Sequence, residues 1–357
     1  MKKIISIFMV ISILVLQLLT FVGCEEKSSL NKYSNYYFDY FDTATTIIGY
    51  EKSQEDFDEM CKEITDLLNE YHRLYTIYNR YEGFNNLVTI NDLFDGEHKV
   101  VTVDQKIIDM LNFAKDMYYK TDGMVNIAMG SVLKIWHIYR NEGLDDPINA
   151  ELPPMDKLEE ASKHINIDNL IIDTEKNTVF IDDPLMTLDV GAIAKGFAVE
   201  QIAKHLENKG ITGYILNVGG NVRTIGMADK EKWKVGIENP DLNDEENKYI
   251  EFLKLSGESV VTSGSYQRFY VVNGENYHHI IDPETLMPGT KYRSVSVITN
   301  DSGLGDAMST ALFLMDYEEG KNLVESTDNV EAMWVMTDGE QRYSTGFENY
   351  TFEYITE

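Results

Sequence analysis

The sequence predicts an α+β protein. Helical and strand-like segments are interleaved along 357 residues without a regular βαβ rhythm, and a long middle stretch carries short strands broken by Gly and Asn turns. The length allows one large or two intimately packed domains. The first residues form a separate unit: Lys2 and Lys3 precede a mostly apolar run from Ile4 to Leu19 that closes at Phe21-Val22-Gly23-Cys24, the pattern of an export signal. Gly23 before Cys24 resembles a bacterial lipobox, in which residues 1–23 are removed as a signal peptide and Cys24 is lipidated. The other reading is an uncleaved N-terminal anchor, since the run is nearly long enough to span a bilayer. Under either reading the remainder is tethered to a bacterial cell membrane on its extracytoplasmic face.

The elements follow in order. Residues 24–35 are polar and read as a lipidated tether to a domain spanning 36–357. Tyr36 to Tyr50, aromatic and β-branched, reads as one or two strands. A helix is predicted from about Gln54 to His72, N-capped by Ser53, with an apolar stripe through Phe57, Met60, Cys61, Ile64, Leu67, Leu68 and Tyr71. Another runs from about Asp104 to Tyr119 and is ended by Asp122-Gly123. Residues 141–156 hold three of the seven prolines and read as a surface connection. Strands near 170 and 178 come next, then a helix opened by Gly191. From Tyr214 to about Tyr270 short strands alternate with turns such as Asn217-Val218-Gly219-Gly220-Asn221. Helices from about Leu304 to Met315 and from 317 to 326 follow, with closing strands near 331 and 350.

Composition excludes some partners. A net charge of −29, made more acidic by loss of Lys2 and Lys3, repels nucleic acid and anionic headgroups. A phosphate-bearing ligand must therefore be held by local positive charge, backbone amides or a metal. Cys24 and Cys61 are the only cysteines, so lipidation of Cys24 leaves no intramolecular disulfide, and Cys61 reads as a small buried apolar residue.

Two distant stretches are suited to meeting over a charged ligand. Asp189-Val190-Gly191-Ala192-Ile193-Ala194-Lys195-Gly196 reads as a strand end passing through glycine into a helix start, where free amides favour an anion. Lys195 shares a helical stripe with Val199, Ile202 and Leu206, so its ammonium either snorkels to solvent or turns into a pocket. Asp189 is either an N-cap or turn carboxylate, or an acceptor for a ligand's polar edge. Asp306 and Thr310 stand four residues apart on one helix face, a spacing that lets both oxygens reach one hard cation, although such pairs also decorate solvated faces. His278 and His279 lie on or beside a strand, so only one easily enters a given site; each, taken singly, is either a base or charge donor beside a phosphate or a histidine satisfied in the core. Gly219-Gly220 is either a hairpin turn or a phosphate cradle, and Ser263 to Arg268 adds a small-residue turn with an arginine.

In order, Asp189 to Gly196, Asn217 to Asn221, Ser263 to Arg268, His279 to Pro283 and Asp306 to Leu314 resemble the ApbE family of FAD:protein FMN transferases. So do Phe41-Asp42-Thr43, Tyr78-Asn79 and Thr121-Asp122-Gly123-Met124-Val125-Asn126, which extends the resemblance over nearly the whole mature chain. The resemblance implies two intimately packed lobes with mixed sheets and the ligand site between them. It implies that FAD is the substrate, Mg²⁺ the cofactor, and the reaction a transfer of FMN to a Thr or Ser hydroxyl of an acceptor flavoprotein with release of AMP. The acceptor would be a flavin-carrying subunit of a membrane redox complex or an exported flavoprotein. By position, Tyr78, Met124, Val125, Asn126, Asp189, Lys195 and Ile280 match FAD contacts. The Ala192 carbonyl and the Asp306 and Thr310 side chains match the metal ligands, His279 is the candidate base, and Lys195 would stabilise developing charge. Ser265 and Gln267 replace acidic residues common in the family, and Thr285-Leu286 replaces the usual Thr-Gly. The competing readings are a Mg²⁺-dependent FAD pyrophosphatase, a flavin-binding lipoprotein without turnover, and a generic solute-binding lipoprotein.

Overall fold

The computed structural model describes residues 30–244 and 246–353; the export signal and Cys24 lie outside the described residues. Strands β1 (Asn31–Tyr40) and β2 (Thr43–Glu51) form a hairpin, so residues 31–35, expected in the tether, are already strand. Helix α1 (Gln54–Tyr75) starts at Ser53, whose side chain accepts the Asp56 amide. Short α2 (Leu87–Asn91), β3 (Val101–Thr102) and α3 (Gln105–Lys120) follow, the last capped by Asp104. The chain reverses after α3 through Asp122 and Gly123, both at positive φ. Helix α4 (Gly130–Asp145) claims residues 141–145 of the expected surface connection; α5 (Met155–Ala161), β4 (Leu170–Asp173) and β5 (Thr178–Ile181) come next.

Helix α6 (Ala194–Asn208) leads into β6 (Tyr214–Val218), β7 (Asn221–Ile225), β8 (Trp233–Glu238), β9 (Tyr249–Leu255), β10 (Ser259–Gly264), β11 (Phe269–Val272), β12 (Glu275–His278) and β13 (Tyr292–Thr299). Helices α7 (Ser302–Leu314) and α8 (Tyr317–Glu325) precede β14 (Val330–Met336) and β15 (Gln341–Tyr343). The strand expected near 350 is instead a 3₁₀ turn, Phe347–Tyr350, which buries Phe347 and leaves one bridge, Leu253 to Thr351.

Eight strands form the main sheet in the order β1-β2-β6-β7-β10-β13-β14-β15. Every neighbouring pair in it is antiparallel, as are the three smaller sheets, so the expectation of mixed sheets is corrected. The reason is connection: β1–β2, β6–β7 and β14–β15 are hairpins, and the α7–α8 pair sends the chain down and back before it re-enters the sheet. The helical face of the sheet carries the largest core. There α1 contributes Phe57, Cys61, Ile64, Leu68, Tyr71 and Tyr75 at helical spacing, packed with α3, α6 and α7. Fully burying each such side chain stabilises by about 1.5–3 kcal/mol. Burial also pushes the Cys61 thiol up to about 11, in keeping with an inert packing residue. The β8–β9 ribbon covers the other sheet face through Trp233, Ile237, Leu253 and Leu255.

A third core joins α4, α5 and the β11–β12 hairpin through Val132, Trp136, Leu158, Tyr270 and Leu286. It forms a smaller lobe stitched to the main one where Gly130 donates to the Thr187 carbonyl and Asp189 to that of Ile127. The residues singled out by the sequence gather along this seam.

Candidate active site at a helix crossing

The site begins with a glycine. A Cβ on Gly196 would stand 2.3 Å from the Ser302 carbonyl oxygen and 2.5 Å from Asp306 Cβ, so α6 and α7 approach this closely only because residue 196 has none. The approach brings Asp306, 4% exposed, against the first turn of α6. The Gly196 amide, which a regular helix would pair with the Ala192 carbonyl, donates instead to Asp306 Oδ2 at 2.8 Å. Among the described residues the Ala192 carbonyl has no backbone donor. Lys195 Nζ stands 3.5 Å from Asp306 Oδ1. The lysine thus turns inward rather than snorkelling free. Thr310, one turn further along α7 and half-buried, has a hydroxyl with no hydrogen-bond partner among the described residues.

Asp189 closes a turn rather than capping a helix: its Oδ1 accepts the Gly191 amide at 2.9 Å. Its Oδ2 faces His137 Nε2 on α4 at 3.9 Å. Tyr78, 61% exposed, reaches His137 Nδ1 with its hydroxyl at 3.3 Å. The surrounding protein, and then the Asp189 charge, push the Tyr78 phenol up to about 12, so it keeps its proton. Of the 124–126 segment, Met124 is half-buried and Val125 is 1% exposed. The Asn126 amide is spent on the Ile165 carbonyl and the Ala128 amide.

The two histidines divide as their alternation requires. His278 is buried, its Nδ1 accepting the Ile280 amide and its Nε2 donating to the Gly289 carbonyl. Ile280 is itself buried beside it. His279 is open to solvent on one side, yet its basicity is pushed down to about 3, first by the protein crowding the ring and then by the Arg268 and Lys195 cations. Its Nδ1 faces the Arg268 carbonyl at 3.2 Å, an acceptor, which places the proton on Nδ1 and the lone pair on Nε2. Arg268 also donates to the Asp42 carbonyl. Gly219 and Gly220, both at positive φ, make the β6–β7 hairpin turn.

The cleft therefore unites Tyr78, Asp189, Lys195, Arg268, His279, Asp306 and Thr310. It also holds two residues that sequence reasoning did not single out, His137 and Arg140, both on α4, with Arg140 close enough to bear on the charge state of His137 and Tyr78. The signal that could have found them is the apolar spacing Val132, Trp136 and Gly143, which marks a helix with one buried face. A hollow of about 640 Å³ lined by Asp66, Glu70, Arg73, Phe84 and Asp104 contains none of these residues.

Among the described residues no group of three or more His, Cys, Asp or Glu could by itself hold a metal. One carboxylate, one free hydroxyl and one carbonyl released from its helix still suit Mg²⁺, which keeps several waters and takes its remaining ligands from a substrate's phosphates. The arrangement is a cleft lined by the Lys195 and Arg268 cations, with the His279 imidazole beside them and the exposed Tyr78 ring in the same cleft.

The ApbE family profile matches residues 41–334. An FAD:protein FMN transferase of Klebsiella pneumoniae (strain 342) is 30% identical over 279 residues, 78% of this chain and 82% of that one. One of Treponema pallidum (strain Nichols) is 32% identical over 261 residues, 69% of this chain and 70% of that one. The crystal structure of an ApbE protein from Thermotoga maritima superposes with a TM-score of 0.77 at 27% identity, covering 90% of this chain and all of that one. The flavin transferase ApbE from Vibrio cholerae shares the fold, with a TM-score of 0.72 at 22% identity over 90% of this chain and 99% of that one.

Proposed function

Since the chain belongs to the ApbE family and is a transferase, we propose that it moves the FMN part of FAD onto a Thr or Ser hydroxyl of an acceptor flavoprotein and releases AMP, with Mg²⁺ at the diphosphate. The observation that carries this reading is the α6–α7 crossing, where Lys195, Asp306 and the freed Ala192 carbonyl converge. Ala192, Asp306 and Thr310 would hold the metal. When bound, Mg²⁺ supplies charge stabilisation at the phosphoryl oxygens.

The rest is the work of this chain's side chains. Lys195 and Arg268 draw the diphosphate into a protein whose overall charge repels it. The acceptor hydroxyl attacks the phosphorus of the FMN half, the bond to the bridging oxygen breaks, and AMP leaves with that oxygen. His279 Nε2 takes the hydroxyl proton. Its low basicity in the free protein comes partly from Lys195 and Arg268, and a diphosphate seated between them offsets those charges and raises it. Tyr78 and Asp189 hold the flavin-nucleotide's ring and polar edge. Tethering through a lipidated Cys24 would place the enzyme at the extracytoplasmic membrane face, beside acceptors in membrane redox complexes or exported flavoproteins.

The test incubates the protein lacking residues 1–24 with FAD, Mg²⁺ and an acceptor bearing a Ser or Thr target, then weighs the acceptor. An FMN-sized gain that disappears with EDTA is expected. Free FMN and AMP without adduct would make the protein a pyrophosphatase, and intact FAD would make it a binding protein.

A further inference from the structure

We propose that His137 is a positioning residue of the flavin site, its imidazole tying the Tyr78 phenol on one side to the Asp189 carboxylate on the other. The proposal rests on the functional reading above and deepens it.

Tyr78 lies in the irregular stretch between α1 and α2, its ring largely exposed. Its backbone is fixed by the Thr76 hydroxyl at 3.1 Å, and the side chain's described hydrogen-bond partner is His137. Asp189 already spends Oδ1 on Gly191, which leaves Oδ2 for the imidazole. A neutral ring suits both neighbours, Nδ1 accepting the Tyr78 O–H at 3.3 Å and Nε2–H facing the carboxylate at 3.9 Å. Burial, and then the Arg140 and Arg268 charges, favour that neutral form, against the pull of Asp189. The 3.9 Å separation from Asp189 is longer than a hydrogen bond, so the proposed link to the carboxylate closes only when FAD fills the cleft, which the affinity measurements below test. His137 is not what seats its helix. The neighbouring Trp136 does that, 3% exposed and donating to the Leu286 carbonyl at 3.0 Å. The imidazole therefore spans the cleft from the small lobe to the Tyr78 ring, and its loss should loosen that ring without unfolding the lobe.

The experiment measures KM for FAD, kcat and FAD affinity by flavin fluorescence for His137→Ala, Tyr78→Phe and their double variant, with melting curves for each. His137→Ala is expected to raise KM about ten-fold with kcat within about two-fold of the parent, and Tyr78→Phe to do the same. The double variant should be no worse than either single change, because both cut one link. His137→Asn, which keeps an acceptor near Nδ1, should recover most of the affinity. An unchanged KM in His137→Ala, additive losses in the double variant, or an Asn variant as weak as Ala would each overturn the proposal, the last also where Ala alone melts early. If the parent binds FAD but transfers nothing, the functional reading falls while the fluorescence series still decides the link.

Discussion

Glu200 and Asp306 are buried where α6 meets α7, at 2% and 4% exposure, and they are held differently. Glu200 Oε2 takes the Arg223 guanidinium at 3.0 Å and the Ser302 amide at 2.9 Å, while Lys204 stands 3.5 Å from Oε1. Arg223 in turn reaches Glu207 at 3.0 Å. Asp306 has one amide on Oδ2 and, toward Oδ1, only a lysine at 3.5 Å. A buried carboxylate saturated with donors has recovered its desolvation cost inside the fold and belongs to the structure. One left short has coordination to offer, which the proposed function assigns to a cation.

The sharpest way to break this contrast is to remove each acid in turn. Glu200→Ala leaves Arg223 buried without its main partner and should lower unfolding free energy by about 3–5 kcal/mol in a urea titration, with the folded fraction still active. Asp306→Asn keeps the shape and an acceptor for Gly196 but loses the charge. Transfer should fall on the order of 10²–10³-fold by acceptor mass, with a much smaller shift in melting temperature than Glu200→Ala. A larger loss of stability at Asp306 than at Glu200 would reverse the assignment. Gly196→Ala tests whether one crossing serves both acids: the added methyl meets backbone at 2.3 Å and should cost about 1–3 kcal/mol while also lowering transfer.

The smallest effect is in pH. His279 is held well below the ordinary value of 6.5, so kcat/KM should not fall as pH drops from 8 to about 5 on its account, the acid limb lying lower. A limb centred near 6.5 would place the ring outside the field of Arg268 and Lys195. The sign for folding agrees: the unfolded chain takes up the proton first, so this ring's contribution to stability is complete above 6.5 and is lost as pH falls toward 3.

Much of this was legible in advance where local chemistry and tertiary role coincide. Ser53 and Asp104 announce their helices because an N-cap needs only its own turn. Lys195 in an apolar stripe left open a snorkel or an inward turn, and the fold decides for the turn toward Asp306. His137 was not legible, because its value lies in Tyr78 and Asp189, residues 59 positions before it and in a separate loop after it. The apolar residues near 350 suggested a strand, but burying Phe347 against the β8–β9 ribbon decided for a tight turn. Leu286 occupies the usual glycine position at φ 61°, a left-handed backbone that its side-chain burial in the small lobe's core offsets.

Gly196 and Asp306 are 110 residues apart, and their hydrogen bond makes the site a record of completed folding. The α6–α7 part of the cleft is complete only once α7 has docked, so on the proposed function FAD would favour the fully folded chain. Ligand held at a hundred times its dissociation constant would then deepen the native well by about 2.7 kcal/mol, a reward reserved for molecules that have finished assembling.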